Sequence, residues 1–188
     1  MGIKVTETGI EGLKVIVPDV FGDERGYFME TYNQNTFKEA GIMNVFVQDN
    51  QSSSSKGVLR GLHFQKQYPQ SKLVRVVRGE VYDVAVDLRK DSKTFGKYYG
   101  VLLSAENKTQ FLIPRGFAHG FVVLSDSAEF AYKCDDFYHP NDEGGLPWND
   151  TTIGIEWPEE IKDMNLIISE KDQNWASFEK QKDFFLSK

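Results

Sequence analysis

The chain reads as mainly β, a barrel or sandwich of short strands with a few short helices. Three observations predict this. Turn residues recur about every eight to twelve positions, at Gly22-Asp23, Gly57, Gly79, Gly96, Gly100, Asn107, Gly116 and Gly120, the spacing of an all-β domain. The runs between them are rich in Val, Phe, Tyr and Leu, and several alternate with a period of two. Helical signals are sparse.

Asn35 to Ala40 has room for one or two helical turns, and Ser52 to Ser55 is a short polar run expected to be loop. Val81 to Leu88 is the cleanest strand, with Tyr82, Val84, Val86 and Leu88 on one face and Val81, Asp83, Ala85 and Asp87 on the other. Phe111 to Ile113 is a strand stopped by Pro114, which has no N–H for a ladder. In Glu129 to Cys134, the side chains of Phe130, Tyr132 and Cys134 share a face. Pro158-Glu159-Glu160 opens a helix, with proline tolerated in its first turn. Ser169-Glu170-Lys171-Asp172 is expected to cap a C-terminal helix running toward Phe185. With no repeat and no boundary, residues 1–188 read as one domain, long enough to bury a core.

Composition narrows the function. One cysteine, Cys134, excludes an internal disulfide and points to a reducing compartment. No apolar run reaches the length of a membrane span, so the expectation is a cytoplasmic protein with no membrane partner. A net charge of −6 argues against nucleic acid. Yet between Asn50 and Gly79 there is no Asp or Glu, while Lys56, Arg60, Lys66, Lys72, Arg75 and Arg78 all fall there. A basic segment in an acidic chain points to a small anionic ligand. Arg60 and Lys72 flank a histidine and are read as functional, Lys56 and Lys66 as solvated, and Arg75 and Arg78 as plain surface charge.

That histidine is His63, in Leu59-Arg60-Gly61-Leu62-His63-Phe64-Gln65. A second, His119, lies in Pro114-Arg115-Gly116-Phe117-Ala118-His119-Gly120-Phe121. Two of the chain's three histidines thus sit inside apolar, strand-like runs after an Arg-Gly pair. Histidine titrates nearest neutrality and suits proton transfer. There is no His-x-His, and His139 precedes Pro140 in a turn, so no metal is expected. An interior general base needs a carboxylate to set its tautomer, and Asp83, Asp87, Glu143 and Asp172 are all candidates. Tyr132, a phenol on an apolar strand face, is either core or a proton donor opposite the histidine. Asp142 to Asp150 is a glycine-rich loop with an indole, read as a turn or as a cover for ligand hydroxyls.

These motifs, taken in order, resemble the dTDP-4-dehydrorhamnose 3,5-epimerase family. The resemblance runs from Phe21-Gly22-Asp23-Glu24-Arg25-Gly26-Tyr27-Phe28-Met29-Glu30, through Gln48-Asp49-Asn50, Arg60 to His63, Lys72 to Val76 and Pro114 to Phe121, to Ser169-Glu170-Lys171-Asp172. It implies a cupin-type jelly-roll, a homodimer, no cofactor and a dTDP-sugar substrate. It also implies roles: His63 as base, Asp172 orienting it, Tyr132 as acid on the opposite face, and Lys72 holding the enolate oxygen. Arg60 and His119 resemble substrate and diphosphate contacts. Arg25, Phe28 and Glu30 resemble nucleotide contacts that partly cross the dimer. Gln48, Asp49 and Asn50 are expected to line the site, Glu143 and Lys171 to complete it, and Tyr138 to stack on thymine. Phe64, where many members have tyrosine, and Pro147 before Trp148 depart from the family pattern. Asp172 is also placed to cap its helix with Ser169. The competing readings are a single-centre deoxysugar epimerase, a sugar-nucleotide-binding cupin without turnover, and a metal-dependent dioxygenase or isomerase.

Overall fold

The alternation of Val81 to Leu88 is realised in the middle of the molecule. Val81, Asp83, Ala85 and Asp87 are buried on one face, and Val84, Val86 and Leu88 on the other. Both faces are covered, and each fully buried Val or Leu contributes roughly 1.5–3 kcal/mol. The computed structural model describes residues 1–181 and residue 184.

The chain starts with β1 (Ile3–Glu7) and β2 (Lys14–Pro18), followed by a hairpin of β3 (Val20–Asp23) and β4 (Gly26–Met29). Helix α1 (Gln34–Glu39) follows, its first turn capped by the Asn33 side chain, which accepts from the Asn35 and Thr36 amides. Then come β5 (Gln48–Ser55), β6 (Val58–Gln65), β7 (Lys72–Arg78), β8 (Glu80–Asp87) and β9 (Tyr98–Ser104). They are followed by β10 (Gln110–Ile113), β11 (Phe117–Val123), β12 (Ser127–Cys134) and β13 (Glu143–Gly145). A 3₁₀ turn at Glu159–Asp163, β14 (Ile167–Ile168), helix α2 (Glu170–Gln173) and a second 3₁₀ turn at Phe178–Lys180 complete the described elements.

Two sheets face one another. One runs β1-β2-β10-β7-β12-β5; the other runs β13-β6-β11-β8-β9, with β14 parallel to β6. Between them lies a core that includes Val74, Val76, Phe111, Ile113 and Phe130 from the first sheet and Val81, Ala85, Leu103, Phe117 and Phe121 from the second. Behind the second sheet, Leu62, Phe64, Val84, Val86 and Leu88 pack under Ile153 and Phe184. Behind the first, Phe37 of α1 closes a cluster with Ile16, Leu73 and Leu112. This is the cupin-type jelly-roll. Among the described residues, no helix is long and apolar enough to cross a membrane.

Two elements differ from expectation. Ser52 to Ser55 is not loop but the second half of β5, which pairs with β12 along its whole length, from Gln48↔Cys134 to Ser55↔Ser127. Serine is tolerated because β5 is an edge strand, with one face in solvent and its ladder bonds supplied by β12. The C-terminal helix stops at Gln173. Tertiary bonds outcompete it: the Trp175 indole N–H is drawn to Asp172 at 3.2 Å and the Phe178 amide to Asp150 at 2.7 Å. Phe185, its expected far end, lies outside the described residues.

Candidate active site

The site forms where β6 and β11 cross its floor. His119 pairs with His63 and Phe121 with Arg60, so the two residues between Arg60 and His63 face only one on β11. This extra residue is a β-bulge, and it breaks the alternation that would send Arg60 and His63 to opposite faces. Both therefore line the same cleft. The glycines make the bulge possible. Gly61 has φ +124°, and a Cβ there would lie 2.6 Å from Gly120 Cα and 2.8 Å from the His119 carbonyl oxygen.

Asp172 is brought over this bulge by α2. Its amide donates to Ser169 Oγ at 3.2 Å, so the helix cap forms. Its carboxylate is left free for the site. Asp172 Oδ1 lies 2.6 Å from His63 Nε2, and Oδ2 accepts from the Gly61 amide at 3.2 Å. The Trp175 indole adds a third donor. Burial alone would raise this carboxyl, but His63, the Gly61 amide and Trp175 outweigh it and bring it down to about 2. An ionised carboxylate only accepts, so His63 holds its proton on Nε2 and keeps the lone pair of Nδ1 free.

The facing wall belongs to the other sheet. Lys72 on β7 and Tyr132 on β12 stand on adjacent strands, with the Lys72 ammonium 6.0 Å from the Tyr132 ring centre. Burial raises the Tyr132 phenol, opposed by the positive charge of Arg60, so it remains protonated at neutral pH. Burial pushes the Lys72 ammonium down, while the carboxylates of Glu143 and Asp83 pull it back. Burial also lifts the Cys134 thiol to about 11, which makes it inert.

A cavity of about 660 Å³ joins these walls, lined by Arg60, His63, Lys72, His119, Tyr132, Lys171 and Asp172 among others. A second, of about 210 Å³, is lined by Gln48, Asn50, Tyr138 and Glu143 and shares His63, Lys72 and Tyr132 with the first. The two form one trough with the histidine at its middle. Glu143 Oε2 pairs with Lys171 at 2.6 Å, and its Oε1 stands 3.9 Å from His63 Nδ1.

The four candidate carboxylates thus separate. Asp172 takes His63. Asp83, fully buried, takes His119 through both oxygens, at 2.9 and 3.0 Å from Nε2. Asp87 closes the turn after β8, bonding Arg89, Ser92 and Thr94, and plays no part in the cleft.

Asp49 departs from expectation. Gln48 and Asn50 face the trough, but three successive strand residues cannot share a face, and Asp49 points outward to pair with Lys133 at 2.7 Å. Arg25, Phe28 and Glu30 sit on or beside the β3–β4 hairpin, outside the cleft of their own chain. Arg25 is exposed and paired with Asp23, Phe28 is exposed, and Glu30 accepts from Asn33 at 3.1 Å. Sequence reading missed Trp175, which braces Asp172 and meets the His63 ring edge-on. It also missed Ser54, which accepts from Arg60 Nε at 3.0 Å. An indole three residues after a proposed catalytic carboxylate was a usable signal; nothing in the sequence marks Ser54.

Fold and site together define a class: an acid–base enzyme on a cupin-type jelly-roll, with a carboxylate-held imidazole on one wall of its cleft and a phenol and an ammonium on the other. The family profile described as dTDP-4-dehydrorhamnose 3,5-epimerase matches residues 7–180, and the chain belongs to that family. The dTDP-4-dehydrorhamnose 3,5-epimerase of Methanothermobacter thermautotrophicus is 59% identical over 169 residues, 90% of this chain and 91% of that protein. The crystal structure of the enzyme of that name from Elizabethkingia anophelis superposes with a TM-score of 0.89 at 54% identity, covering 96% of this chain and 99% of the other. A dTDP-6-deoxy-D-glucose-3,5-epimerase from Legionella pneumophila, solved in complex with dTDP-4-keto-L-rhamnose, gives a TM-score of 0.86 at 52% identity, over 90% and 89% of the two chains.

Proposed function

We propose that this chain is a dTDP-4-dehydrorhamnose 3,5-epimerase that converts dTDP-4-dehydro-6-deoxy-α-D-glucose to dTDP-4-dehydro-β-L-rhamnose. The observation that carries the reading is the 2.6 Å His63–Asp172 pair in one cleft with Tyr132 and Lys72. The C4 ketone acidifies the hydrogens on C3 and C5. His63 Nδ1 takes one of them, the C–H electron pair moves into the C–C bond, and the ketone oxygen becomes an enolate. Asp172 stabilises the imidazolium, and the Lys72 ammonium holds the enolate oxygen. Tyr132 returns a proton to the opposite face of the carbon, which inverts it, and is recharged from solvent. The same groups act at the second centre once His63 has released its proton.

Arg60 and Lys171 supply donors for the diphosphate, and His119, held by Asp83, lines the cleft against the substrate. Gln48, Asn50 and Glu143 face the substrate, and Tyr138 stacks on the thymine. The protein acts as a homodimer in which the exposed β3–β4 hairpin carries Arg25, Phe28 and Glu30 toward the partner's nucleotide. Supply of dTDP-4-dehydro-6-deoxyglucose with a downstream 4-ketoreductase and NADPH tests the reading. Formation of dTDP-L-rhamnose by the wild type, and none by His63→Asn, is expected. Normal turnover by His63→Asn would remove the assigned base.

A further inference from the structure

The loop that carries Tyr138 is held by glutamines whose bonds to it run residue by residue. Gln70 Nε2 donates to the Asp136 carbonyl at 2.7 Å, and Gln65 Nε2 to the Phe137 carbonyl at 3.3 Å. The Tyr138 amide donates to Gln48 Oε1 at 2.9 Å, and the His139 amide to Gln65 Oε1 at 2.7 Å. Gln65 Nε2 also reaches the Tyr68 carbonyl at 2.7 Å, which ties this loop to the one before β7. Gln65 is buried, at 5% exposure, so its amide does not exchange these partners for water. Across the two loops, the Tyr68 and His139 rings stack at 4.1 Å, and the Asp142 carboxylate accepts from the Gln67 and Tyr68 amides.

Four consecutive backbone positions are therefore fixed by three side chains, while the Tyr138 ring stays half exposed and lines the trough beside His63. A loop with few apolar contacts gains its order from such bonds, and a flat ring held this way loses little freedom when an aromatic base stacks on it.

We infer that Gln65 and Gln70, with Gln48, are positioning residues: a glutamine cradle that pre-orients Tyr138 as a platform for the aromatic base of a nucleoside diphosphate. Gln48, on this reading, acts through the Tyr138 backbone. The inference rests on the proposed nucleotide-sugar substrate, but the cradle itself is testable without ligand.

Gln65→Met keeps the length of the side chain and adds no charge to the trough that Gln65 itself lines, but it removes the bonds to the Tyr68 and Phe137 carbonyls and from the His139 amide. Amide hydrogen exchange at Tyr138 and His139 is expected to quicken in this variant. In calorimetric titrations, its Kd for dTDP is expected to rise about tenfold, the order lost when base stacking on an aromatic ring is weakened. Its Kd for inorganic pyrophosphate should stay within about twofold of the wild type. Tyr138→Ala should show the same split, and adding Gln65→Met to it should cost nothing further. If Gln65→Met does not fold, Gln70→Ala, which removes one bond from a half-buried side chain, carries the same comparison. Unchanged exchange at Tyr138 and His139 would overturn the cradle. Quickened exchange with unchanged dTDP affinity, or equal losses for dTDP and pyrophosphate, would overturn its role. Failure of the wild type to bind dTDP would overturn the substrate reading instead.

Discussion

Replacing Asp172 by asparagine probes the pair at the centre of the site. The carboxylate accepts from His63, the Gly61 amide and Trp175, and is held at about 2 against an ordinary 3.8. Asp172 is 4% exposed, so solvent screens this little, and the difference corresponds to about 2 kcal/mol of stability at neutral pH. The folded-state value is the depressed one. The contribution is therefore complete above about pH 4 and is lost as pH falls through 4 toward 2. In Asp172→Asn, the carboxamide oxygen stays with the Gly61 amide, while its NH₂ stands where Oδ1 stood, so it loses the Trp175 bond and can donate to His63 Nε2. That drives the imidazole proton onto Nδ1, the nitrogen assigned to take the carbon proton. A tautomer inverted in this way costs ~10⁴-fold in a serine protease, and a kcat loss of that order is expected here. The assay is the reductase-coupled rate at neutral pH, with circular dichroism as the control for folding. Thermal melts from pH 7 to pH 3 form the second arm, in which the gap in Tm between wild type and Asp172→Asn should narrow below pH 4. A folded variant within about tenfold of wild-type kcat, or a gap constant with pH, would refute the reasoning.

Tyr132→Phe should abolish net epimerisation yet leave solvent exchange at the acidic carbons, read by NMR in D₂O, because His63 still works without its acid. Lys72→Met should lower kcat by ~10²–10³-fold, the usual loss of one oxyanion donor, and change KM much less. Asp83→Ala should cost about 1–3 kcal/mol in a urea titration, since it leaves the buried His119 Nε2–H without its acceptor.

Much of this architecture is legible in the sequence because it depends on local patterns. The strand at Val81 to Leu88, the stop at Pro114 and the cap at Ser169 match the structure, while the helix expected from Pro158 is only a 3₁₀ turn, Glu159–Asp163, with Pro158 just before it. His63, His119 and Tyr132 stand out because a polar residue in an apolar run is expensive to bury without a purpose. Pairing is not legible. That Asp172, 109 positions away, meets His63, and Asp83 meets His119, depends on how the sheets and α2 are docked. Asp49 escapes a motif read as a block, because strand alternation turns its middle residue outward. The serines of β5 escape a reading by composition, because an edge strand borrows its order from its neighbour. The bulge that brings Arg60 and His63 to one face is hinted at by Gly61 and Gly120, but only the β6–β11 register shows it.

The most direct test of the account is to incubate the wild-type protein with dTDP-4-dehydro-6-deoxyglucose in D₂O and follow C3 and C5 by NMR. Deuterium is expected at both carbons, with both centres inverted and one base, His63, serving each. Deuterium at a single carbon would contradict the double epimerisation, and no exchange at either would contradict the acid–base site itself.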